Sequence, residues 1–281
     1  MSARPVSPVI TDTLFEPQGA YWRVNRESIL LLGGGTALLL ELAHPLVAAA
    51  VADHSDFRER PVRRLTRTMN VMKTITYGER SRALAKTASM REMHRRIRGT
   101  LGEATALFPQ GTPYCAADPE LLRWVYATLI HTSLHTYESF LPPLGAVGRE
   151  AYYAESKTLA REFGVPERLL PPTYPDFLDY WHDMVEGPTL EVTAEARELG
   201  RNVLYPPIAG LPHIVGDLGG IITLGLLPET IRRRYGFKWD AKRQRAWGWG
   251  GRLLRKALPY MPDLARASGS ARRAERLVAR A

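Results

Sequence analysis

Polar side chains almost vanish between residues 29 and 51, where the chain reads ILLLGGGTALLLELAHPLVAAAV. An apolar run of about 20 residues is long enough to cross a bilayer, but Glu41, His44 and Pro45 interrupt its second half. A carboxylate and an imidazole are costly at bilayer depth. A helix that is apolar on all sides is also what a buried central helix looks like. The pattern therefore predicts one buried helix over residues 27–53. It leaves Glu41 and His44 either buried or lining a cavity, and buried polar groups need partners.

Helical spacing continues along the chain. Residues 60–75 predict a second helix, with Pro61 suited to its first turn, and residues 81–99 a third, closed by Gly99. Asp118-Pro119-Glu120 is a start signal: a capping acid, a proline at the first position, and an acid facing the positive dipole end. The helix it opens runs to about Phe140 and stops before Pro142-Pro143. Further helices are expected at 147–163, 175–186, 193–203, 212–226, 229–235, 239–257 and 270–280. Prolines and glycines mark loops at 108–113, 166–175 and 205–207. No alternating run bounded by turn pairs suggests a strand. The expectation is one all-α domain over residues 1–281, with a basic helical extension over about 250–281.

Composition narrows the class. Hydrophobic residues make up 45% of the 281 positions and charged residues 24%, as in ordinary globular proteins. The single cysteine, Cys115, rules out an internal disulfide and a cysteine-built zinc or iron–sulfur site. The N-terminus shows no apolar h-region with a small-residue cleavage site, which predicts a cytoplasmic protein. The net charge is +9, and only six of the 38 basic residues are lysines. The excess peaks near the C-terminus at Arg252, Arg255, Lys256, Arg266, Arg272, Arg273, Arg276 and Arg280. It reads either as a solvated helix or as a surface for an anionic partner.

Chemistry must come from seven histidines, the carboxylates and a cofactor bringing its own atoms. A di-iron bundle needs two Glu-x-x-His pairs; the chain has one, Glu41 to His44. His131 and His135 stand one helical turn apart near Glu138. That spacing suits zinc, or one ring packs while the other faces solvent. No Gly-x-Ser-x-Gly elbow or phosphate loop is present, and Cys115 has no evident histidine base. Gly33-Gly34-Gly35 does not follow a strand, so close approach of a helix or ligand is the better reading. On a helix over 81–99, Arg91, His94 and Arg98 share one face. An imidazole for iron flanked by guanidiniums for propionates suits haem, and an exposed basic face fits the same spacing.

Ordered blocks carry a resemblance over residues 25–245. They are Gly33-Gly34-Gly35 with Leu42-Ala43-His44-Pro45 and Val51-Ala52-Asp53-His54-Ser55, then Arg64-Leu65-Thr66-Arg67-Thr68, Arg91-x-x-His94-x-x-x-Arg98-Gly99, and Tyr114-x-Ala116-x-Asp118-Pro119-Glu120-Leu121-Leu122-x-Trp124-Val125. Together they resemble the haem b oxygenases typified by the latex-clearing protein and MpaB. The resemblance implies a globin-like helical core around haem b. It implies His94 as the proximal iron ligand, and Arg64 and Thr68 beside the distal pocket. It also implies cleavage of isoprenoid double bonds with dioxygen. Arg67 stands where the rubber oxygenase has a lysine able to cap the iron. A guanidinium has no free lone pair, so an open sixth site is expected. The chain is shorter than the rubber enzymes, which argues against a polymer channel.

The expectation is thus a haem b oxygenase taking dioxygen and an apolar small molecule. His94 is the metal ligand, Arg91 and Arg98 contact the cofactor, and Arg64, Arg67, Thr68, Glu41 and His44 are candidates for catalysis. Two alternatives stay open: a haem-binding sensor or carrier without turnover, and a basic helical protein that binds nucleic acid or a membrane surface. The sequence disfavours nucleic acid and leaves peripheral membrane contact open.

Overall fold

The computed structural model describes residues 12–55, 61–205 and 213–279. The described chain is helical apart from one two-stranded ribbon. In order, the helices are Ala20–Asn25 (α1), Gly34–Leu42 (α2), Pro45–His54 (α3), Pro61–Tyr77 (α4) and Arg80–Arg96 (α5). The ribbon follows, Arg98–Thr100 (β1) against Pro113–Cys115 (β2). Then come Pro119–Phe140 (α6), Gly145–Phe163 (α7), Tyr174–Glu186 (α8), Ala194–Leu204 (α9) and His213–Leu226 (α10). Glu229–Tyr235 (α11), Ala241–Ala257 (α12), Asp263–Arg266 (α13) and Gly269–Val278 (α14) complete the chain.

The apolar run is not one helix. It is a 3-10 turn over Ser28–Gly33, then α2, then α3, with a bend of 107° between the Ser28–Leu42 stretch and α3. Pro45 is the cause. The residue before a proline is pushed out of the helical region, and His44 sits at φ −85°, ψ 120°. The backbone groups freed by the break find other partners. Leu40 O accepts from the Trp124 indole at 3.1 Å, and Leu39 O from the Tyr235 hydroxyl at 2.8 Å. The bent pair lies in the core, with Leu39, Leu40, Leu42, Ala43 and Ala48 at 1% exposure or less. Among the described residues no single helix is long and apolar enough to cross a membrane.

The glycines that open the run let helices touch. A Cβ on Gly33 would collide with Thr136 Oγ1 of α6, and one on Gly35 would sit 2.6 Å from Thr223 Oγ1 of α10. The long helix α6 is the central beam, with Trp124, Ala127 and Ile130 fully buried. Its start is as the sequence implied: Pro119 opens it and Asp118 Oδ1 accepts from the Glu120 amide at 2.8 Å.

The third predicted helix ends early, at Arg96, and the chain becomes strand at Arg98. In the ribbon Gly99 pairs with Tyr114, whose hydroxyl would collide with a Cβ at position 99. Gly99 therefore serves a close strand approach rather than a helix cap. Arg98 leaves the helix, and the expected shared face of Arg91, His94 and Arg98 does not exist.

The C-terminal segment is tied back to the start of the fold. Arg26 donates to Glu275 at 2.8 Å and to Asp263 at 2.8 Å, and Arg266 pairs with the buried Glu27 at 3.1 Å. The Ser268 amide donates to Arg26 O at 2.8 Å, and Ala271 and Ala274 of α14 are buried.

Candidate functional site

A cavity of about 790 Å³ opens between α2, α3, α5 and α6. The bend at His44-Pro45 makes it: α2 delivers Glu41 to the wall, and α3 turns away to supply Val47, Ala50 and Val51. Leu121, Leu122 and Val125 of α6 form the opposing apolar wall. Polar side chains converge on this lining from three helices. His94, Glu92 and Arg96 come from the end of α5, Arg67 from α4, and His54 from the end of α3.

The ribbon fixes the two sides of the site. The Tyr114 hydroxyl donates to Asp53 Oδ2 at 2.5 Å, joining β2 to α3. His54 Nε2 sits 3.0 Å from Arg98 O, which joins α3 to β1. Cys115 Sγ lies 4.0 Å from His94 O. The end of α5, carrying His94, is therefore held against α3 without a long loop.

His94 is half-buried at the cavity wall, near the Phe163 ring at 6.1 Å. Its Nδ1 is enclosed and meets no hydrogen-bond partner. A second-sphere carbonyl or acid on Nδ1, usual for a ligating histidine, is therefore lacking. Burial pushes the imidazole pKa down. The ring stays neutral near pH 7, the form with a lone pair to offer.

The structure brings Glu41, Arg67 and His94 to one cavity and leaves other expected residues outside it. His44, three residues after Glu41, lies beyond the helix break and is buried beside Phe108 at a ring distance of 5.6 Å. Its Nδ1 is also enclosed without a partner. Thr68 is exposed on α4 and does not line the cavity, and the Arg64 side chain lies outside the described residues. Arg91 runs toward Gly164 at the end of α7. Arg98 is exposed, and its Nε donates to Arg95 O at 2.9 Å. Neither arginine lines the cavity.

Spacing alone does not single out three polar residues of the lining, Glu92, Arg96 and His54. Arg96 lines the cavity while its Nε donates to Glu92 Oε1 at 3.0 Å. It would have been visible only by recognising that α5 stops there. His54 was visible in a sequence block, but no spacing rule gave it a place at the wall.

Of the paired histidines of α6, His131 packs and His135 is exposed. His131 stacks on Trp181 at 3.8 Å and 8°, with His135 at 5.7 Å. Among the described residues no group of three or more His, Cys, Asp or Glu is arranged to hold a metal ion. Burial lowers the pKa of His44 to about 4 and that of His131 to about 3. The unfolded imidazole titrates near 6.5, so the unfolded chain takes up protons first as the pH falls. Stability contributed by these neutral rings is present above about pH 6.5 and is lost between there and their folded values. His44 alone accounts for about 3 kcal/mol by pH 4. The expected result is a urea midpoint that falls steeply from pH 7 to pH 4, and less steeply in His131→Phe. Equal slopes for wild type and variant would show that the stacked ring does not carry the effect.

Comparison with known proteins follows the same outline. The family described as ER-bound oxygenase mpaB/B′/rubber oxygenase, catalytic domain, matches residues 21–256. The chain is similar to uncharacterized protein Rv2237 of Mycobacterium tuberculosis and uncharacterized protein Mb2261 of Mycobacterium bovis. Each is 29% identical over 237 residues, covering 81% of this chain and 88% of the relative. No solved structure matches the chain. The matched residues include every helix that walls the cavity, and the chain belongs to the family of mpaB/B′ and rubber oxygenase catalytic domains.

Proposed function

We propose that the chain is a haem b-dependent oxygenase that uses dioxygen on an apolar, alkene- or isoprenoid-like small molecule. The observation that carries this reading is the place of His94, a neutral imidazole in the wall of a large apolar cavity, with Glu41 and Arg67 in the same lining. The cavity volume, about 790 Å³, lies within the range of roughly 300–1,000 Å³ usual for cofactor and small-molecule sites.

The donor set fits this cofactor. His94 would hold the iron through Nε2, because Nδ1 is sealed into the protein. Arg67 and Arg96 are the cationic residues of the lining and would meet the propionates, the role expected of Arg91 and Arg98. Haem b, when bound, supplies the redox-active iron at which dioxygen is activated.

The chain's own groups divide the remaining work. The Arg67 guanidinium has no free lone pair with which to ligate a metal, so it donates hydrogen bonds to an oxygen-bearing group in the cavity. Arg64 and Thr68, one turn apart on α4, stand on either side of it in sequence. Glu41 places a carboxylate at an apolar wall, where it can accept a proton from substrate. The aliphatic side chains of α3 and α6 exclude water and accept a hydrocarbon. His44 lies off the cavity and serves packing.

Titration of the purified chain with haem b tests the reading. A Soret band saturating at one haem per chain is expected, followed by oxygen uptake when an isoprenoid alkene is added. A chain that stays colourless with haem in excess overturns the assignment. Stoichiometric haem without uptake on any alkene would reduce the protein to a sensor or carrier.

A further inference from the structure

Five of the large apolar side chains most exposed among the described residues fall within sixteen positions near the C-terminus. They are Trp249 (72% exposed), Leu253 (68%), Tyr260 (89%), Met261 (39%) and Leu264 (71%). The fold has not left them out for want of a core. The other side of α12 packs on the fold: Trp247 sets its edge against Phe140 at 5.7 Å, and the partly buried Leu254 packs against the cluster of Phe140, Leu141 and Leu258.

The outward face of α12 mixes these apolar groups with cations. Arg245, Trp249, Arg252, Leu253 and Lys256 follow an i, i+4, i+7, i+8, i+11 spacing, which puts them on one side of a helix. All five are exposed. Arg252 lies over the Trp249 ring at 5.4 Å. Asp263 is the only acid between residues 241 and 266, and Arg26 pairs with it at 2.8 Å. The patch therefore presents net positive charge around its apolar tips.

We propose that α12, the 3-10 turn Leu258–Tyr260 and α13 form a peripheral docking surface for an anionic lipid bilayer. A bilayer is the occupant because of the mixture. Lysine is depleted in protein–protein interfaces, whereas here Lys256 shares a helical face with Trp249 and Leu253, and the one acid of the segment is already paired with Arg26. Tryptophan and tyrosine settle at the headgroup level. Arginine and lysine lay their stems along apolar surface while the charged ends reach anionic headgroups. Among the described residues no single helix is long and apolar enough to span a bilayer.

Vesicle flotation tests this with the full chain. Vesicles of phosphatidylcholine with 30% phosphatidylglycerol are compared with phosphatidylcholine alone, at low and high salt. Co-flotation with the anionic vesicles alone, lost at high salt, is expected. Arg252→Glu with Lys256→Glu should cut partitioning at least about 25-fold, from about fivefold per basic residue removed near an anionic surface. Trp249→Ser with Leu253→Ser should cut it comparably. All variants should keep the wild-type melting temperature within a few degrees, because the substituted side chains are exposed. Failure of the wild type to float with anionic vesicles at low salt overturns the proposal. So does flotation of both double variants equal to that of the wild type, or a wild-type dimer in solution that the serine variants dissolve. None of these readouts requires bound haem, so the surface stands or falls apart from the cofactor assignment.

Discussion

His94→Ala is expected to give a folded protein that no longer retains haem b. Losing even a second-sphere partner of a ligand costs about 10–100-fold in metal affinity, so removal of the ligand itself should weaken retention more than about 100-fold. Oxygen uptake should disappear with it. The ring is only half-buried, and α5 continues to be held by the ribbon and by α4 and α7. Stability should therefore change little. Added imidazole should restore the Soret band, because the truncated side chain leaves space for a free ring at the wall. His44→Ala makes the contrast: that ring is buried beside Phe108 and off the cavity, so the variant should lose stability and keep the cofactor. A His94→Ala protein that purifies with full haem would remove the basis of the proposed function.

Arg26→Ala should be among the most destabilising single substitutions outside the core. The guanidinium holds Glu275 through two hydrogen bonds at 2.8 and 3.1 Å, Asp263 at 2.8 Å, and stands 3.7 Å from Glu27. Glu27 is buried, and burial raises its pKa in spite of two neighbouring arginines. Among the described residues, without Arg26 it keeps Arg266, and Glu275 keeps the Trp22 indole at 3.1 Å. Breaking a buried ion pair from one side costs about 3–5 kcal/mol. Because Glu275 and Asp263 are partly exposed, about 3 kcal/mol is the expected loss in urea unfolding. The deficit should shrink in acid. Hydrogen bonds from Arg26 hold the Glu275 pKa below the usual carboxylate range. The stabilisation it brings is thus present above its unfolded pKa, about 4.3, and is lost as the pH falls through the folded value. The double variant Arg26→Met with Glu275→Gln should lose less than the sum of the two single variants, since neither charge is then stranded. Additive losses would contradict the pairing.

The all-α fold was legible because periodicity, prolines and capping residues agree with one another. The Asp118-Pro119 start of α6 and the Gly236 stop of α11 follow local chemistry. The failures share a cause. At His44-Pro45 the apolar count favoured a continuous helix, and the proline rule that breaks it was outweighed. At Ile97 nothing local ends α5; the end is imposed by pairing with residues 113–115, which is a tertiary effect. That one error carried into the site. It placed Arg98 on the helix face of His94 and hid Arg96. His94, Glu41 and Arg67 were legible as residue types and from the family resemblance. Their meeting in one cavity depends on the 107° bend, which no spacing rule encodes.

The bend also sets a burden on biosynthesis. Residues 28–54 are as apolar as a membrane segment, and they are sheltered by α6, by α9 and by Tyr235. These partners leave the ribosome between roughly 70 and 200 residues later. At synthesis rates of about 5–20 residues per second, that stretch stays unsheltered for seconds. Early capture by a chaperone, and aggregation of chains truncated before α9, are consequences of building the pocket wall from the first long apolar segment.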